Sequence, residues 1–133
     1  CYKVLFPDVL PKGIQPNEKW SRLHSAIKLM FGVTLMKPEY LKVTGTIQLE
    51  YSENGIKYDI SSGGRGFQQT LLLLASMYAN PNTILLLDEP DAHLEVIRQR
   101  EAFQLINQVA NDMNSQIIIA SHSEIVLEEA AEA

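Results

Sequence analysis

The sequence predicts an α/β domain with parallel strands at its core, an antiparallel hairpin ahead of them and flanking helices. Three observations carry that expectation. Residues 83–87 and 116–120 are short apolar runs without alternation, as expected of parallel strands covered on both faces. Between them, over about residues 95–113, Phe103, Ile106, Ala110 and Met113 recur at helical spacing, so strand, helix and strand form one βαβ unit. Residues 40–51 instead alternate, with Val43, Gly45, Ile47, Leu49 and Tyr51 set against Thr44, Thr46, Gln48 and Glu50.

The elements follow in order. Residues 1–16 hold Pro7, Pro11 and Pro16, half of the six prolines, and read as an irregular leading segment. Asn17 is a candidate cap for a helix that turns Trp20, Leu23, Ile27 and Met30 or Phe31 inward and ends at Gly32. After the alternating strand, Ser52-Glu53-Asn54-Gly55 supplies a turn and residues 56–60 return as a second strand. Residues 67–78 are an apolar helix broad enough to be buried on more than one face, stopped by Asn80-Pro81-Asn82. Ser123 can cap a short acidic helix reaching Glu132. Two regions are expected: a leading segment plus helix over 1–41, and the α/β part over 42–133.

Composition bounds the function. The 133 residues amount to one domain, and a 46% hydrophobic content is enough to bury a core. A formal net charge of -5 offers no general attraction to nucleic acid or anionic lipid. No apolar run approaches the ~18 residues needed to span a membrane. The single cysteine, Cys1, makes no internal disulfide and fits a reducing, cytoplasmic setting. A first residue of Cys rather than Met points to a fragment.

Three motifs sit in fixed order between residues 60 and 122. The run Ile84-Leu85-Leu86-Leu87 ends in Asp88 and Glu89. Carboxylates at the carboxyl edge of a parallel sheet lie where ligands bind, and burying them without a partner is costly. One carboxylate suits Mg²⁺, directly or through water, while its neighbour orients or deprotonates an attacking water. Ser62-Gly63-Gly64 opens a helix whose unpaired N–H groups and dipole suit an anion, with Arg65 as an added charge. His122 ends the second apolar strand, either as a structural residue or as a contact to a terminal phosphate beside Asp88 and Glu89. His93 offers a different grouping, a metal held with Asp88, Glu89 and His122, but no spacing here matches a dedicated metal cage. His24, on the first helix, is read as structural.

Together these motifs resemble the ABC-type ATPases among the P-loop NTPases, over about residues 42–133. Ser62-Gly63-Gly64-Arg65 is similar to that family's signature sequence, with Arg65 where glutamine or glutamate is common. Residues 84–89 resemble its Walker B strand, which implies Asp88 as the magnesium-supporting aspartate and Glu89 as the catalytic glutamate. Asp91, Ala92, His93, Leu94 and Glu95 match the D-loop region, and His122 falls at the switch-histidine position. The D-loop and the Ser-Ser-Gly-Gly-Arg-Gly-Phe-Gln-Gln start of the signature helix are more similar to the soluble branch than to transporters. That branch includes chromosome-maintenance and recombination ATPases, overcoming-lysogenization-defect nucleases and bacterial AAA-family ATP-binding proteins.

The resemblance implies ATP and Mg²⁺ as cofactors and a homodimer or second ATPase domain as partner. Each signature loop then completes the site whose phosphate-binding loop lies on the other member. It also implies DNA as an expected object of the work, and no membrane partner. One departure stands out: no Gly-x-x-x-x-Gly-Lys-Ser/Thr occurs, and no glycine precedes a lysine. The cradle for the β- and γ-phosphates is therefore expected on an amino-terminal Walker A-bearing segment. The chain alone is expected neither to bind nor to hydrolyse ATP appreciably. A regulatory or assembly module that has lost catalysis is the alternative, and a transporter subunit a third reading that the D-loop disfavours.

Overall fold

A computed structural model of the chain describes residues 1–7 and 15–132, the last as backbone only. It divides into two compact units, Cys1–Gly64 and Arg65–Ala133.

The first unit begins with a short helix, α1 (Tyr2–Leu5), where the prolines suggested irregular chain. Its Val4 and Leu5 are buried, and it packs on the longer α2 (Pro16–Phe31), so tertiary burial overrides a weak local signal. Pro11 lies outside the described residues. The cap of α2 is Gln15 rather than Asn17. Pro16 takes the first helical position, where its missing N–H and fixed φ cost nothing, and this draws the start back by two residues. Trp20, Leu23, Ile27 and Met30 are buried along one stripe, and Gly32 closes the helix at φ 71°, donating its N–H to the Lys28 carbonyl.

The alternating segment 40–51 is not one strand. It folds into a hairpin of β2 (Glu39–Leu41) and β3 (Thr46–Gln48), then continues as β4 (Glu50–Glu53). Gly45, at φ 67°, donates its N–H to the Leu41 carbonyl to close the turn, and Val43 stands fully exposed at the tip. Alternation reports which residues share a face and is blind to a turn whose polar residues keep the same rhythm. The second hairpin is as expected. Asn54 and Gly55 hold positive φ, and β5 (Ile56–Asp59) pairs with β4 from Glu53↔Ile56 to Glu50↔Asp59. Tyr51 stacks on its cross-strand partner Tyr58 with ring centroids 5.5 Å apart. A two-residue strand, β1 (Thr34–Leu35), completes the order β1-β4-β5.

The second unit holds the expected βαβ arrangement. Helix α3 (Arg65–Ala79) buries Phe67, Leu71, Leu74 and Tyr78. Strands β6 (Ile84–Asp88) and β7 (Gln116–Ala120) pair in parallel, in register from Ile84↔Gln116 to Asp88↔Ala120. Helix α4 (Val96–Asp112) packs on β7, on α3 and on the final helix α5 (Glu124–Glu132). Ser123 caps α5 as expected, its Oγ accepting from the Val126 N–H at 3.4 Å. The Glu129 carboxylate ties α5 to α4 by accepting from Arg100 at 2.8 Å and Gln104 at 2.9 Å.

The parallel strands are not covered on both faces. Ile84 is 66% exposed, Leu86 76% and Ile118 61%. An open groove of about 450 Å³ runs beside β6, lined in part by Leu72, Leu73, Leu85, Leu86 and Leu87. A continuous apolar run shows which environment a strand suits, and these residues supply only part of that environment. No helix among the described residues is long and apolar enough to cross a membrane.

Candidate functional site

Parallel pairing carries β6 and β7 to the same edge, so the residues just past their ends meet. The Glu89 N–H donates to the Ala120 carbonyl at 2.8 Å, continuing the ladder one residue beyond Asp88. Glu89 then turns sharply at φ 45°, a left-handed conformation that costs a non-glycine residue on the order of 1 kcal/mol and gathers at functional sites. Its carbonyl accepts from the Ala92 N–H at 3.1 Å and from the Gln69 amide at 3.4 Å, which hold the turn in place.

The turn aims the Glu89 carboxylate at His122, with Oε1 3.5 Å from Nε2. The expected proximity of the histidine to a strand-end carboxylate is therefore present at Glu89. Asp88 and Glu89 are exposed rather than buried, and the His122 side chain is 94% exposed. Solvent screens the Glu89–His122 attraction, so the pair adds little to stability and both groups stay available to a ligand.

The residues matched to a D-loop, 91–95, behave in two ways. Asp91 and Leu94 are buried, while Ala92, His93 and Glu95 are exposed. The Asp91 carboxylate accepts from the Ser121 hydroxyl at 2.9 Å, and the Leu94 N–H donates to the Asp91 carbonyl at 2.9 Å. Glu95 lies 3.8 Å from Arg98 at the head of α4. Among the described residues no three His, Cys, Asp or Glu side chains converge on a common metal position. His93 instead places its backbone carbonyl against Gly66, where a β-carbon would overlap it and would lie 2.9 Å from Leu94 Cδ2. Only glycine fits there, a role that spacing alone does not reveal.

The residues similar to a signature sequence are split between the units, with Ser62, Gly63 and Gly64 in the first and Arg65 opening α3 in the second. Ile60–Ser62 form a 3₁₀ turn capped by Asp59, whose Oδ1 accepts from both the Ser61 hydroxyl and the Ser61 N–H. Gly63 donates its N–H to the Ile60 carbonyl at 3.2 Å, closing this turn ahead of α3. Gly63 is extended and Gly64 has no positive φ, so neither uses glycine's left-handed freedom. A β-carbon on Gly64 would meet nothing within 4 Å, which leaves open space in front of the loop.

Asp59 has no counterpart in the sequence reading. Its hydrogen bonds from the Ser61 hydroxyl and then the Ser61 N–H outweigh its desolvation and hold its carboxyl below the ordinary carboxylate value. A depressed folded-state value means the cap is intact above the unfolded pKa, about 3.9, and is lost as pH falls through the lower folded one. The Ser61 amide resonance should therefore titrate with a midpoint below that of a free aspartate in NMR. A midpoint at or above it would show that the cap does not form.

Comparison with known proteins bears on the family and the fold. A family model described as "AAA domain, putative AbiEii toxin, Type IV TA system" matches residues 8–128, and the chain belongs to that family. It is 31% identical over 120 residues to a zinc import ATP-binding protein, ZnuC, of Buchnera aphidicola subsp. Schizaphis graminum. That match takes in 90% of this chain but only 44% of the relative, so the chain spans less than half the length of that protein. Among solved structures it resembles one from work on ATP-driven dimerization and DNA-stimulated activation of SMC ATPases. There the TM-score is 0.64 at 17% identity, covering 82% of this chain and 70% of that one. It also resembles the Smc head domain of Pyrococcus furiosus bound to the C-terminal domain of ScpA. That TM-score is 0.64 at 16% identity, covering 83% of this chain and 29% of that one. The α/β fold is thus that of an ABC-type P-loop ATPase, in part.

Proposed function

We propose that residues 42–133 are the carboxyl-terminal part of a soluble ABC-type ATPase. Its complete form binds and hydrolyses ATP at a dimer interface and couples closure to work on DNA. The observation that supports this most is the parallel pairing of β6 and β7, which sets Glu89 3.5 Å from His122 beside Asp88. In this reading Glu89 polarises the attacking water and His122 contacts the γ-phosphate. Ser62, Gly63, Gly64 and Arg65 close over ATP held by the partner, a homodimer mate or a second ATPase domain. Asp91, Ala92, His93, Leu94 and Glu95 form the D-loop between them.

The residues present fit one group and only half of the other. Asp88 is a single exposed carboxylate at the strand end, suited to Mg²⁺ that keeps most of its waters. Bound Mg²⁺ would neutralise charge on the phosphates. For ATP this chain offers the carboxylates, the histidine and the signature turn, while the grip on the β- and γ-phosphates belongs to a Walker A-bearing segment. The setting is cytoplasmic and no membrane partner is required.

Isothermal titration of this chain with Mg-ATP should show only weak binding. Tight binding would overturn the assignment of the phosphate grip to another segment. A second reading, an importer's ATP-binding subunit, is favoured by the identity to the zinc import protein. It predicts co-purification with a membrane partner.

A further inference from the structure

Resting on that reading, we propose that Ser121, Ser123 and Gln99 form a polar clasp that fixes His122 relative to the D-loop, making Ser121 and Gln99 positioning residues for hydrolysis. The His122 side chain reaches Glu89 only at 3.5 Å and is otherwise in solvent, so its own contacts do not orient it. Its backbone is held from both sides. Ser121 Oγ donates to Asp91 Oδ1 at 2.9 Å and accepts from the Ser123 N–H at 3.0 Å, closing a tight loop around residue 122. One hydroxyl thus uses its donor on the D-loop and an acceptor lone pair on the far side of the histidine.

The second half of the clasp runs through α4. Ser123 Oγ donates to Gln99 Oε1 at 2.8 Å, and Gln99 Nε2 donates to the Leu94 carbonyl at 3.1 Å. The D-loop is therefore gripped at Asp91 by Ser121 and at Leu94 by Gln99, and both grips lead to residues flanking His122. The Leu94 N–H bond to the Asp91 carbonyl joins the two ends within the loop. Asp91 is only 7% exposed, and a carboxylate so covered needs its donor. Partly covered polar chains of this kind have few alternative arrangements, so a shift of the D-loop is carried to His122 and back.

The test uses the protein that joins this chain to a phosphate-binding loop, with Glu89→Gln as the reference. Ser121→Ala and, separately, Gln99→Leu should each lower kcat about 10- to 100-fold, with KM for ATP within about twofold. Ser121→Thr, which keeps the hydroxyl, should restore turnover. On the present chain, Ser121→Ala should speed amide exchange at Ser123 and shift NMR signals of residues 92–94, and Gln99→Leu should shift those of residues 121–123. A kcat within twofold of wild type for both variants, while Glu89→Gln suppresses turnover, would overturn the clasp and leave the ATPase reading standing. A change in KM alone, or no shift across the clasp, would overturn it as well. Undiminished turnover in Glu89→Gln would instead remove the reading on which the clasp rests.

Discussion

Replacing Glu89 by Gln in the loop-bearing protein is expected to lower ATP turnover about 10²- to 10⁴-fold, the range a positioned general base contributes. The amide keeps the size of the side chain and can still accept a hydrogen bond, but it no longer takes up a proton. Nucleotide binding should persist, because nothing assigned to Glu89 grips the phosphates. Closed dimers should accumulate with ATP, visible as a shift in sedimentation. The backbone makes this position hard to duplicate elsewhere. Glu89 sits at φ 45° with its N–H on Ala120 and its carbonyl on Ala92 and Gln69, so the carboxylate is aimed by a held turn rather than by a flexible loop. Turnover unchanged from wild type would remove Glu89 from catalysis.

The largest structural effect is expected at Gly66. A methyl group there would overlap the His93 carbonyl and press on Leu94, and the obstructing atom belongs to the backbone of the 91–95 loop rather than to a side chain that can swing aside. Gly66→Ala should cost about 1–3 kcal/mol, the range for overpacking a fitted site, seen as a lower urea midpoint with an unchanged slope. The amides from Ala92 to Leu94 should shift with it. Gly64→Ala is the contrast: its β-carbon meets open space and its backbone is not left-handed, so its stability should stay within about 0.5 kcal/mol of wild type. Equal losses at the two glycines would contradict the contact that singles out Gly66.

What was legible in the sequence was local or followed from one long-range assumption. Asp88, Glu89 and His122 each end an apolar run, and parallel pairing of those runs is enough to bring them together. The Ser123 cap, the Gly32 stop and the Asn54-Gly55 turn are short-range chemistry that a few residues determine. The Asp91–Ser121 and Gln99–Ser123 bonds join residues 30 and 24 positions apart, and no single-chain pattern announces them. Gly66 escaped for the same reason, since its meaning depends on where the His93 carbonyl comes to rest.

The misreadings have physical causes too. Alternation over 40–51 continued through a turn because Val43 and Gly45 keep the beat while Gly45 reverses the chain. The apolar runs predict strands covered on both faces because Ile84, Leu86 and Ile118 suit burial, yet all three are exposed here. Both cases show composition stating a capacity, which only the neighbours that are present can fulfil.

In the proposed dimer, Glu89 and the Ser62–Gly64 turn of two different subunits act on the same ATP. Mixing two inactive forms of the loop-bearing protein tests it, one carrying Glu89→Gln and the other Ser62→Arg. If the signature acts across the interface, a mixed dimer keeps one intact site. Random exchange then restores turnover to about a quarter of wild type. If the mixture stays as inactive as its two components while dimers exchange freely, the two motifs serve one subunit and no site is completed across the interface.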